Sequence, residues 1–214
     1  MPYDILVVDD GSSDATVPTV QQLQRDYPLQ LVCHSSNRGL GAAITTCLNQ
    51  GIEGLADNDI LVAMDADNTH PPQLITRMVP MIRKGHDIVI ASRYQVGGRV
   101  VGLARHRRWL SLGARLIMQT MLPVPGCRDY TCGYRAYRVG LVRQAAQELN
   151  GVLVRETGFA GMADLLLTLS GFGAVVGEVP LLLRYDYKMG ASKMRVLETM
   201  QRSLRMVLRH RFSR

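Results

Sequence analysis

Short apolar runs and segments of helical period alternate along the first ninety residues. Residues 3–8, 31–34, 60–64 and 87–92 are β-branched or continuously apolar, which predicts strands. Helices are predicted over residues 15–26, over residues 42–51 and from Pro71-Pro72 onward, because proline is tolerated in a first helical turn. The continuous run at 60–64 is typical of a strand buried on both faces. The alternation predicts an α/β fold, with a mostly parallel sheet flanked by helices.

The pattern changes after residue 93. Residues 95–102 are rich in glycine, and residues 104–122 predict a helix that carries several arginines among Leu, Ile and Met. A Pro/Gly loop is expected over 123–135, helices near 139–148 and 160–171, and a strand at 174–180. Residues 195–212 predict a basic amphipathic helix at the C-terminal end. No repeat or linker divides the chain.

Polar side chains stand where three of the predicted strands end. Asp9 and Asp10 follow the first strand, Asp65 and Asp67 follow the third, and Arg93 follows the fourth. In open α/β sheets, ligands bind beyond the carboxyl ends of the strands. We therefore expect these five side chains to serve one site at one edge of the sheet.

Asp65 and Asp67 flank Ala66 at a strand end, and side chains two apart on an extended backbone point the same way. Two adjacent carboxylates repel unless a cation lies between them. Mg²⁺ or Mn²⁺ prefers such oxygen ligands and would neutralise a leaving diphosphate. The alternative is that Asp67 caps the helix that follows. The second acidic cluster at Asp9 and Asp10 favours the functional interpretation.

Charge divides the chain in two. The net charge is +7, but residues 1–90 carry five basic and eleven acidic side chains, whereas residues 91–214 carry twenty and seven. The carboxylates of the acidic half can bind a cation, and the basic side chains of the other half can bind nucleic acid, anionic lipid or a phosphorylated substrate. Nucleic acid is disfavoured, because three Phe and one Trp offer little stacking surface. The four cysteines match no zinc motif and are expected to be free thiols.

Several motifs occur in order along nearly the whole chain. They are Val7-Val8-Asp9-Asp10-Gly11-Ser12-Ser13-Asp14, Asn37-Arg38-Gly39-Leu40-Gly41, Met64-Asp65-Ala66-Asp67-Asn68-Thr69-His70-Pro71-Pro72, Ala91-Ser92-Arg93-Tyr94, Arg107-Arg108-Trp109-Leu110-Ser111, Asp129-Tyr130-Thr131-Cys132-Gly133-Tyr134-Arg135 and Gly190-Ala191-Ser192-Lys193. With these motifs the chain resembles the family 2 glycosyltransferases of GT-A fold. Its similarity is greatest to the dolichol-phosphate mannosyltransferase-like group, which includes polyprenyl-phosphate glucosyltransferases.

The resemblance implies an inverting enzyme that moves a hexose, mannose or glucose, from a nucleotide-sugar such as GDP-mannose to a polyprenyl or dolichyl phosphate. It implies a Mg²⁺ or Mn²⁺ cofactor. The residues it implies for the nucleotide-sugar are Asp9, Asp10, Asn37, Gly39, Asp65, Arg184 and Lys193. Those for the metal are Asp65, Asp67 and Thr69, and those for catalysis and the acceptor phosphate are Asp67, Arg93, Arg107 and Ser111.

Two features depart from the family pattern. Thr69 stands where this group often has Gln, and a hydroxyl still offers a ligand to Mg²⁺. The family normally begins with a further strand and helix ahead of the strand at Ile5, and these have no counterpart here. The resemblance therefore leaves two alternatives open: a shortened, non-catalytic form, or a family 2 enzyme with a non-lipid acceptor.

The expected organisation is a GT-A catalytic domain over residues 1–194 and a basic helix over 195–214. That helix has the composition of one that lies in a membrane interface, although packing against the core fits equally well. No run is long enough to span a bilayer. We therefore expect a cytoplasmic protein at the inner face of the membrane, without nucleic acid as a partner.

Overall fold

The computed structural model describes residues 2–102, 105–156, 158 and 160–184; in the helix that begins at Arg105, side chains are described from residue 112 on, except at 114. The strands are β1 (Ile5–Asp9), β2 (Leu29–Cys33), β3 (Ile60–Ala63), β4 (Ile88–Ser92), β5 (Arg99–Val101), β6 (Arg135–Arg138), β7 (Val176–Pro180) and β8 (Leu182–Arg184). The helices are α1 (Thr16–Leu23), α2 (Leu40–Gly51), α3 (Ile75–Arg83), α4 (Arg105–Met121), α5 (Val139–Glu148) and α6 (Ala160–Ser170).

The central layer is a four-stranded sheet in the order β3-β6-β4-β7. β4 runs parallel to β7, and β6 runs antiparallel to both β3 and β4. Every residue of β4 is buried, as its apolar sequence Ile-Val-Ile-Ala-Ser requires of a strand covered on both faces. α3 packs on β4 and β6, and α5 packs on β6 and α6. The predicted α/β fold is confirmed.

β1 and β2 form a separate parallel pair, from Ile5 opposite Leu29 to Asp9 opposite Cys33. Within the described part of the chain, β1 has no second strand partner and β3 pairs only with β6. Helix α2 packs against both β1 and β3. All four residues of β3 are half-buried, so the prediction of a strand buried on both faces is wrong. The reason is that β3 is an edge strand of its sheet.

Other boundaries differ from the sequence-based expectations in small ways. α5 spans the predicted residues, and the segment after Pro71 begins as a 3₁₀ turn at Pro72–Leu74 before α3. β6 starts at Arg135, which was expected to be loop, and the three-residue strands β5 and β8 were not expected. These strands are too short and too mixed in polarity to show a period of two. The predicted C-terminal helix at 195–212 lies outside the described residues.

Candidate functional site

Two carboxylates end β1, and each organises the loop around it. The Oδ2 atom of Asp9 accepts a hydrogen bond from the backbone N–H of Ser12 at 3.0 Å. A hydrogen bond with the Ser12 side chain, together with this backbone contact, lowers the pKa of Asp9 below its ordinary value. Asp9 is only 5% exposed, so its buried carboxylate stabilises the turn after β1.

Asp10 holds the loop between β2 and α2. Its carboxylate accepts hydrogen bonds from the backbone N–H groups of Arg38 at 2.9 Å and Gly39 at 2.7 Å. The same carboxylate lies 2.7 Å from Nδ1 of His34, whose Nε2 lies 3.0 Å from the hydroxyl of Thr46 on α2. Burial favours the neutral acid, but the His34, Arg38 and Gly39 contacts outweigh it and lower the pKa of Asp10. Asp10 therefore fixes the loop that contains Asn37 and Gly39.

Gly11 allows the two loops to meet. Its φ is +74°, and a Cβ atom there would lie 2.7 Å from the backbone nitrogen of Asn37 and from the carbonyl carbon of Ser36. Any other residue would force the loops apart. Four of the residues predicted for the nucleotide-sugar, Asp9, Asp10, Asn37 and Gly39, are thus held in one contact cluster.

Asp65 and Asp67 follow β3, as the sequence predicts. The Asp65 side chain is 52% exposed, and no arginine or lysine of the described residues lies within 4.0 Å of it. Asp67 Oδ1 accepts hydrogen bonds from the backbone N–H of Thr69 at 3.2 Å and from its hydroxyl at 2.5 Å. Asn68 between them has φ +62°, which completes the tight turn.

His70 and Tyr134 brace this turn. The backbone N–H of Asp65 donates to Nδ1 of His70 at 2.9 Å, and the His70 ring stacks on Tyr134 with centroids 5.0 Å apart. Nε2 of His70 lies 4.0 Å from the Asp65 carboxylate. The Tyr134 hydroxyl donates to the carbonyl of Pro71 at 2.9 Å. Since Nδ1 is an acceptor here, the proton of the neutral ring resides on Nε2, and His70 positions Asp65 rather than binding a metal.

Arg93 follows β4 and meets a fully buried carboxylate. Its Nε and Nη2 atoms donate to the two oxygens of Asp129 at 2.7 and 2.6 Å, and Nη2 also donates to the hydroxyl of Thr131 at 2.7 Å. Burial alone would lower the pKa of Arg93, but the charge of Asp129 outweighs it and raises that pKa. Conversely, Arg93 outweighs burial at Asp129 and lowers its pKa.

A second carboxylate supports the first. Glu178 on β7 accepts hydrogen bonds from the backbone N–H groups of Arg128 at 2.6 Å and Asp129 at 2.8 Å. Burial raises the pKa of Glu178 above its ordinary value, and the nearby charge of Asp129 adds to the rise. The two carboxylates fix the conformation of the segment that holds Arg93.

The segment at 129–133 contacts both the Arg93 guanidinium and the Asp65 carboxylate. Thr131 contacts Arg93, and two residues later a Cβ atom on Gly133 would lie 3.4 Å from Oδ1 of Asp65. Helix α4 reaches the same place, because the guanidinium of Arg115 lies over the Tyr94 ring at 4.6 Å and that of Arg93 lies at 5.4 Å from the same ring. The segment at 129–133 therefore contacts residues at the ends of both β3 and β4.

Three predicted residues cannot be placed. Arg107 and Ser111 belong to α4, but their side chains lie outside the described part of the structure, as does Lys193 entirely. Arg107 and Ser111 precede Arg115, whose side chain is described, by eight and four positions along α4. Arg184 ends β8 and is half-buried. Its predicted role in phosphate binding stays a prediction.

The side chains that follow β3 suit a divalent cation that is bound partly by protein carboxylates and partly by oxygen atoms of a substrate. Asp65 offers a half-exposed carboxylate, and the Thr69 hydroxyl orients that of Asp67. Among the described residues there is no group of three or more His, Cys, Asp or Glu that could hold a metal alone. Mg²⁺ characteristically takes one or two carboxylates and completes its shell with water and phosphate oxygens. Thr69 as a direct ligand stays a prediction.

Sequence reasoning missed the supporting residues. No functional role was predicted for His34, His70, Asp129 or Glu178. The available signal was position: His34 follows β2, His70 stands three residues after Asp67, and Asp129 opens a motif of the resemblance. The Glu178 contact joins residues about fifty apart, so no local pattern reports it.

The α/β sheet has carboxylates and an arginine beyond its strand ends, which is where folds of this class bind their ligands. Residues 1–145 match the sequence model of glycosyl transferase family 2. This is more than half of the chain, and the chain belongs to that family.

Three curated relatives are similar to this chain over most of its length. A dolichol-phosphate mannosyltransferase of Pyrococcus furiosus is 33% identical over 179 residues, which is 83% of this chain and 47% of that protein. A polyprenol monophosphomannose synthase of Mycolicibacterium smegmatis is 34% identical over 192 residues, 89% of this chain and 69% of that protein. An undecaprenyl-phosphate mannosyltransferase of Micrococcus luteus is 33% identical and covered to 75%. The chain thus spans about half the length of the first of these relatives.

Solved structures share the fold. Glucosyl-3-phosphoglycerate synthase from Mycobacterium tuberculosis, in complex with phosphoglyceric acid, aligns with a TM-score of 0.67 at 18% identity, over 97% of this chain and 68% of that one. The same enzyme in complex with Mn²⁺, UDP and glucosyl-3-phosphoglycerate aligns with the same TM-score at 19% identity and the same coverage. At this identity the likeness establishes the GT-A fold only.

Proposed function

We propose that this chain is an inverting, metal-dependent glycosyltransferase that moves a hexose from a nucleotide-sugar to a polyprenyl phosphate. The observation that carries the proposal is that the segment at 129–133 contacts Asp65 at Gly133 and Arg93 at Thr131. In this proposal Asp65 binds the cation and Arg93 binds an anionic substrate group, and the segment at 129–133 connects the two side chains. Transfer between a diphosphate donor and a phosphate acceptor needs both.

The donor class is supported by the cluster at the end of β1 and by family membership. There the Asp10 carboxylate accepts hydrogen bonds from the backbone N–H groups of Arg38 and Gly39 and so orders the loop that carries Asn37 beside the turn after β1. The structure of the M. tuberculosis enzyme that shares the fold was determined with Mn²⁺ and UDP. In this chain a cation at Asp65 and Asp67 would supply charge neutralisation for the leaving diphosphate.

The acceptor class is supported by the relatives, whose names specify dolichol phosphate, polyprenol or undecaprenyl phosphate. Arg93 offers a guanidinium that Asp129 already orients, so little conformational entropy is lost when a phosphate binds. A phosphate monoester has its second pKa near ~6 and is mostly dianionic at neutral pH. The acceptor therefore needs positioning rather than a strong general base.

The test is transfer of labelled sugar from GDP-mannose and from UDP-glucose to a short polyprenyl phosphate, with Mg²⁺, with Mn²⁺ and with EDTA. We expect a labelled lipid that forms only with the metal. Asp67→Asn should abolish transfer and weaken Mn²⁺ binding in the presence of the nucleoside diphosphate, as measured by titration calorimetry. Asp26→Asn, on the exposed turn after α1, is the matched control and should leave both unchanged.

The acceptor arm uses Arg107→Ala, with Arg105→Ala two residues away as its control. We expect the first variant to raise the KM for polyprenyl phosphate and the second to leave it near that of the wild type. Transfer to a soluble acceptor without lipid would replace the proposed acceptor class and keep the enzyme class. Absence of nucleotide binding and of transfer would favour the non-catalytic alternative.

A further inference from the structure

A cavity beside α2 is lined by none of the residues predicted for the donor, the metal or the acceptor, as far as the described residues go. It has a volume of about 390 Å³ and lies between α2 and the segment at 150–156, which links α5 to α6. Its α2 side includes small and polar residues: Gly41, Ala42, Thr45, Thr46 and Asn49. Small-molecule sites in proteins have volumes of ~300–1,000 Å³, so the cavity is large enough for a ligand. We call it the α2 groove.

Close backbone packing fixes the walls of the α2 groove. A Cβ atom on Gly41 would lie 2.6 Å from the carbonyl oxygen of Glu156, so α2 contacts the segment at 150–156 directly. The side-chain amide of Asn49 donates to the carbonyl of Gly151 at 2.9 Å. The carboxylate of Asp164 accepts a hydrogen bond from the backbone N–H of Glu156 at 3.1 Å. A ligand would therefore enter a groove that is already formed, which keeps the entropic cost of binding low.

Two polar atoms in the wall lack a hydrogen-bond partner among the described residues. They are the hydroxyl oxygen of Thr45 and the side-chain oxygen of Asn49, and both are shielded from water. A shielded polar atom without a hydrogen bond destabilises the folded state and is uncommon in native proteins. Both residues line the α2 groove. Hydroxyl groups of a ligand would supply the missing partners after a small rotation of the two side chains.

The end of the α2 groove nearest the start of α2 is positively charged. Arg38 and Arg155 line it, and neither guanidinium forms an ion pair with a described residue. Arg155 belongs to this end because its neighbour Glu156, the acidic residue of the described lining, packs on Gly41. The N-terminus of α2 adds a partial positive charge. Guanidinium groups bind phosphate through paired, charge-assisted hydrogen bonds, so this end favours a phosphate group.

The two ends together define the ligand. Thr45 and Asn49 stand one and two helical turns after Gly41, which is about 6 and 12 Å along the helix axis. A ligand that spans the α2 groove therefore needs a phosphate at one end and hydroxyl groups at the other, as in a phosphorylated sugar. The described lining has no aromatic side chain on which a base could stack, which disfavours a nucleotide.

The α2 groove is connected to the loop that Asp10 holds. The hydroxyl of Thr46, in the groove wall, lies 3.0 Å from Nε2 of His34. Nδ1 of His34 lies 2.7 Å from the Asp10 carboxylate, which also accepts a hydrogen bond from the backbone N–H of Arg38. A ligand that contacts Thr46 and Arg38 would therefore restrain this loop from the side of α2.

We propose that the α2 groove binds a phosphorylated sugar and that this ligand increases the affinity of the chain for a nucleoside diphosphate. The binding itself is independent of the proposed function, whereas its effect on the nucleotide rests on that function. The phosphate contacts the guanidinium groups of Arg38 and Arg155, and the sugar hydroxyls contact Thr45 and Asn49. Because the ligand restrains the loop held by Asp10, less conformational entropy is lost when the nucleotide binds.

Titration calorimetry with mannose 6-phosphate and with glucose 6-phosphate, in EDTA and without nucleotide, tests the binding. Arg155→Gln should weaken it by about tenfold or more, because a charge-assisted contact is lost. Arg25→Gln, on the exposed turn after α1, is the matched control and should bind as the wild type does. Equal affinity of Arg155→Gln and the wild type would overturn the site, as would a wild type that binds neither sugar phosphate.

Thr45→Val tests the end of the groove that contacts the sugar hydroxyls. It should weaken sugar phosphate binding about three- to tenfold and leave the binding of inorganic phosphate unchanged. The hydroxyl of Thr45 has no partner in the wall, so this variant should not lower the free energy of unfolding in urea. Thr19→Val, exposed on α1, is the control and should bind both ligands as the wild type does. Unchanged sugar phosphate binding in Thr45→Val would overturn the assignment of the hydroxyl groups.

The effect on the nucleotide is measured by titrating a nucleoside diphosphate with Mg²⁺, with and without saturating sugar phosphate. We expect the affinity to rise by about fivefold or more, and Thr46→Val to reduce this gain because its contact with His34 is lost. An unchanged nucleotide affinity would overturn the coupling. Competition between the two ligands would place the sugar phosphate in the donor site and overturn the proposal. Sugar phosphate binding by a chain that binds no nucleotide would support the site and contradict the proposed function instead.

Discussion

At the residue scale, the buried carboxylate of Asp129 holds a candidate binding group, the Arg93 guanidinium, in a fixed position. Its carboxylate is fully buried and holds the guanidinium of Arg93 by two hydrogen bonds. Pairing compensates the desolvation of both charges, whereas removing one partner leaves the other uncompensated. The Arg93 guanidinium is therefore a fixed feature of the site and not a mobile surface group.

We expect Asp129→Asn to lower the free energy of unfolding by about 3–5 kcal/mol, because Arg93 then remains buried without its counter-charge. The matched control is Asp57→Asn, which breaks the ion pair between Asp57 and Arg143 at the surface, where the aspartate is 70% exposed. That change should cost no more than about 1 kcal/mol. Urea unfolding at pH 7 measures both, and equal losses would contradict the role given to Asp129.

Glu178 gives stability a dependence on pH opposite to that of Asp129, whose pKa is lowered in the folded state. Its pKa is raised in the folded state, so the folded protein binds more protons than the unfolded chain above pH 4.5. Stability conferred by the neutral acid is therefore present at low pH and is lost as pH rises through the folded-state pKa. Glu178→Gln removes this titration while keeping an acceptor for the N–H groups of Arg128 and Asp129.

The measurement for Glu178 is the free energy of unfolding of wild type and Glu178→Gln at a series of pH values from 4 upward. The variant should gain stability relative to the wild type as pH rises above 4.5, and the difference should become constant once Glu178 is ionised in both states. A difference that stays flat across the series would mean that burial does not shift this carboxyl.

At the scale of elements, the candidate site depends on loops that meet rather than on the strands themselves. The loop after β1 and the loop before α2 touch at Gly11, where a side chain would collide with the backbone of Ser36 and Asn37. Similarly, the segment at 129–133 contacts Arg93 through Thr131 and Asp65 through Gly133. Loops positioned by a rigid scaffold are where binding residues concentrate.

Gly11→Ala should weaken nucleoside diphosphate binding by about tenfold or more, because the loop that carries Asn37 and Gly39 must move. Strain from the positive φ alone costs about 1–2 kcal/mol of stability. Gly54→Ala is the control: its φ is +71°, but nothing lies within 4 Å of an added Cβ. It should share the stability loss and keep the affinity, as measured by calorimetry; equal affinity in the two variants would rule out the loop contact as a determinant of binding.

At the scale of the whole molecule, the layers are unequally buried. β4 and β6 lie in the core, whereas no residue of α1 is fully buried and β1 is only half-buried up to Asp9. Regions with few buried apolar contacts open at lower free energy than the core. The β1–α1–β2 unit is therefore expected to open separately from the four-stranded sheet.

Native-state hydrogen exchange tests this expectation. The amides of Val7 and Val32 should exchange with a lower opening free energy than those of Val89 and Ala136, and their exchange should depend less on urea because a smaller surface is exposed. Addition of a nucleoside diphosphate with Mg²⁺ should slow exchange in the first group, since the predicted donor loops follow β1 and β2. Uniform protection across all four amides would show that the molecule opens as one unit.

The sequence by itself determined the α/β fold, the order of most elements, and the polar groups at the ends of β1, β3 and β4. It could do so because these features are local: an apolar run predicts a strand, and the residues that follow it stand at the strand's carboxyl end. The motifs also placed the chain in its family. The edge position of β3, the short strands β5 and β8 and the start of β6 were not predictable, because they depend on pairing between distant segments.

Only the tertiary structure decided which groups support the site. Asp129 pairs with a residue thirty-six positions away, Glu178 with a segment about fifty away, and His34 with Asp10 across two strands. Packing decides whether a carboxylate is buried against an arginine or is left exposed to bind a cation. The reason is that burial and the nearest charge determine the protonation state of the carboxylate.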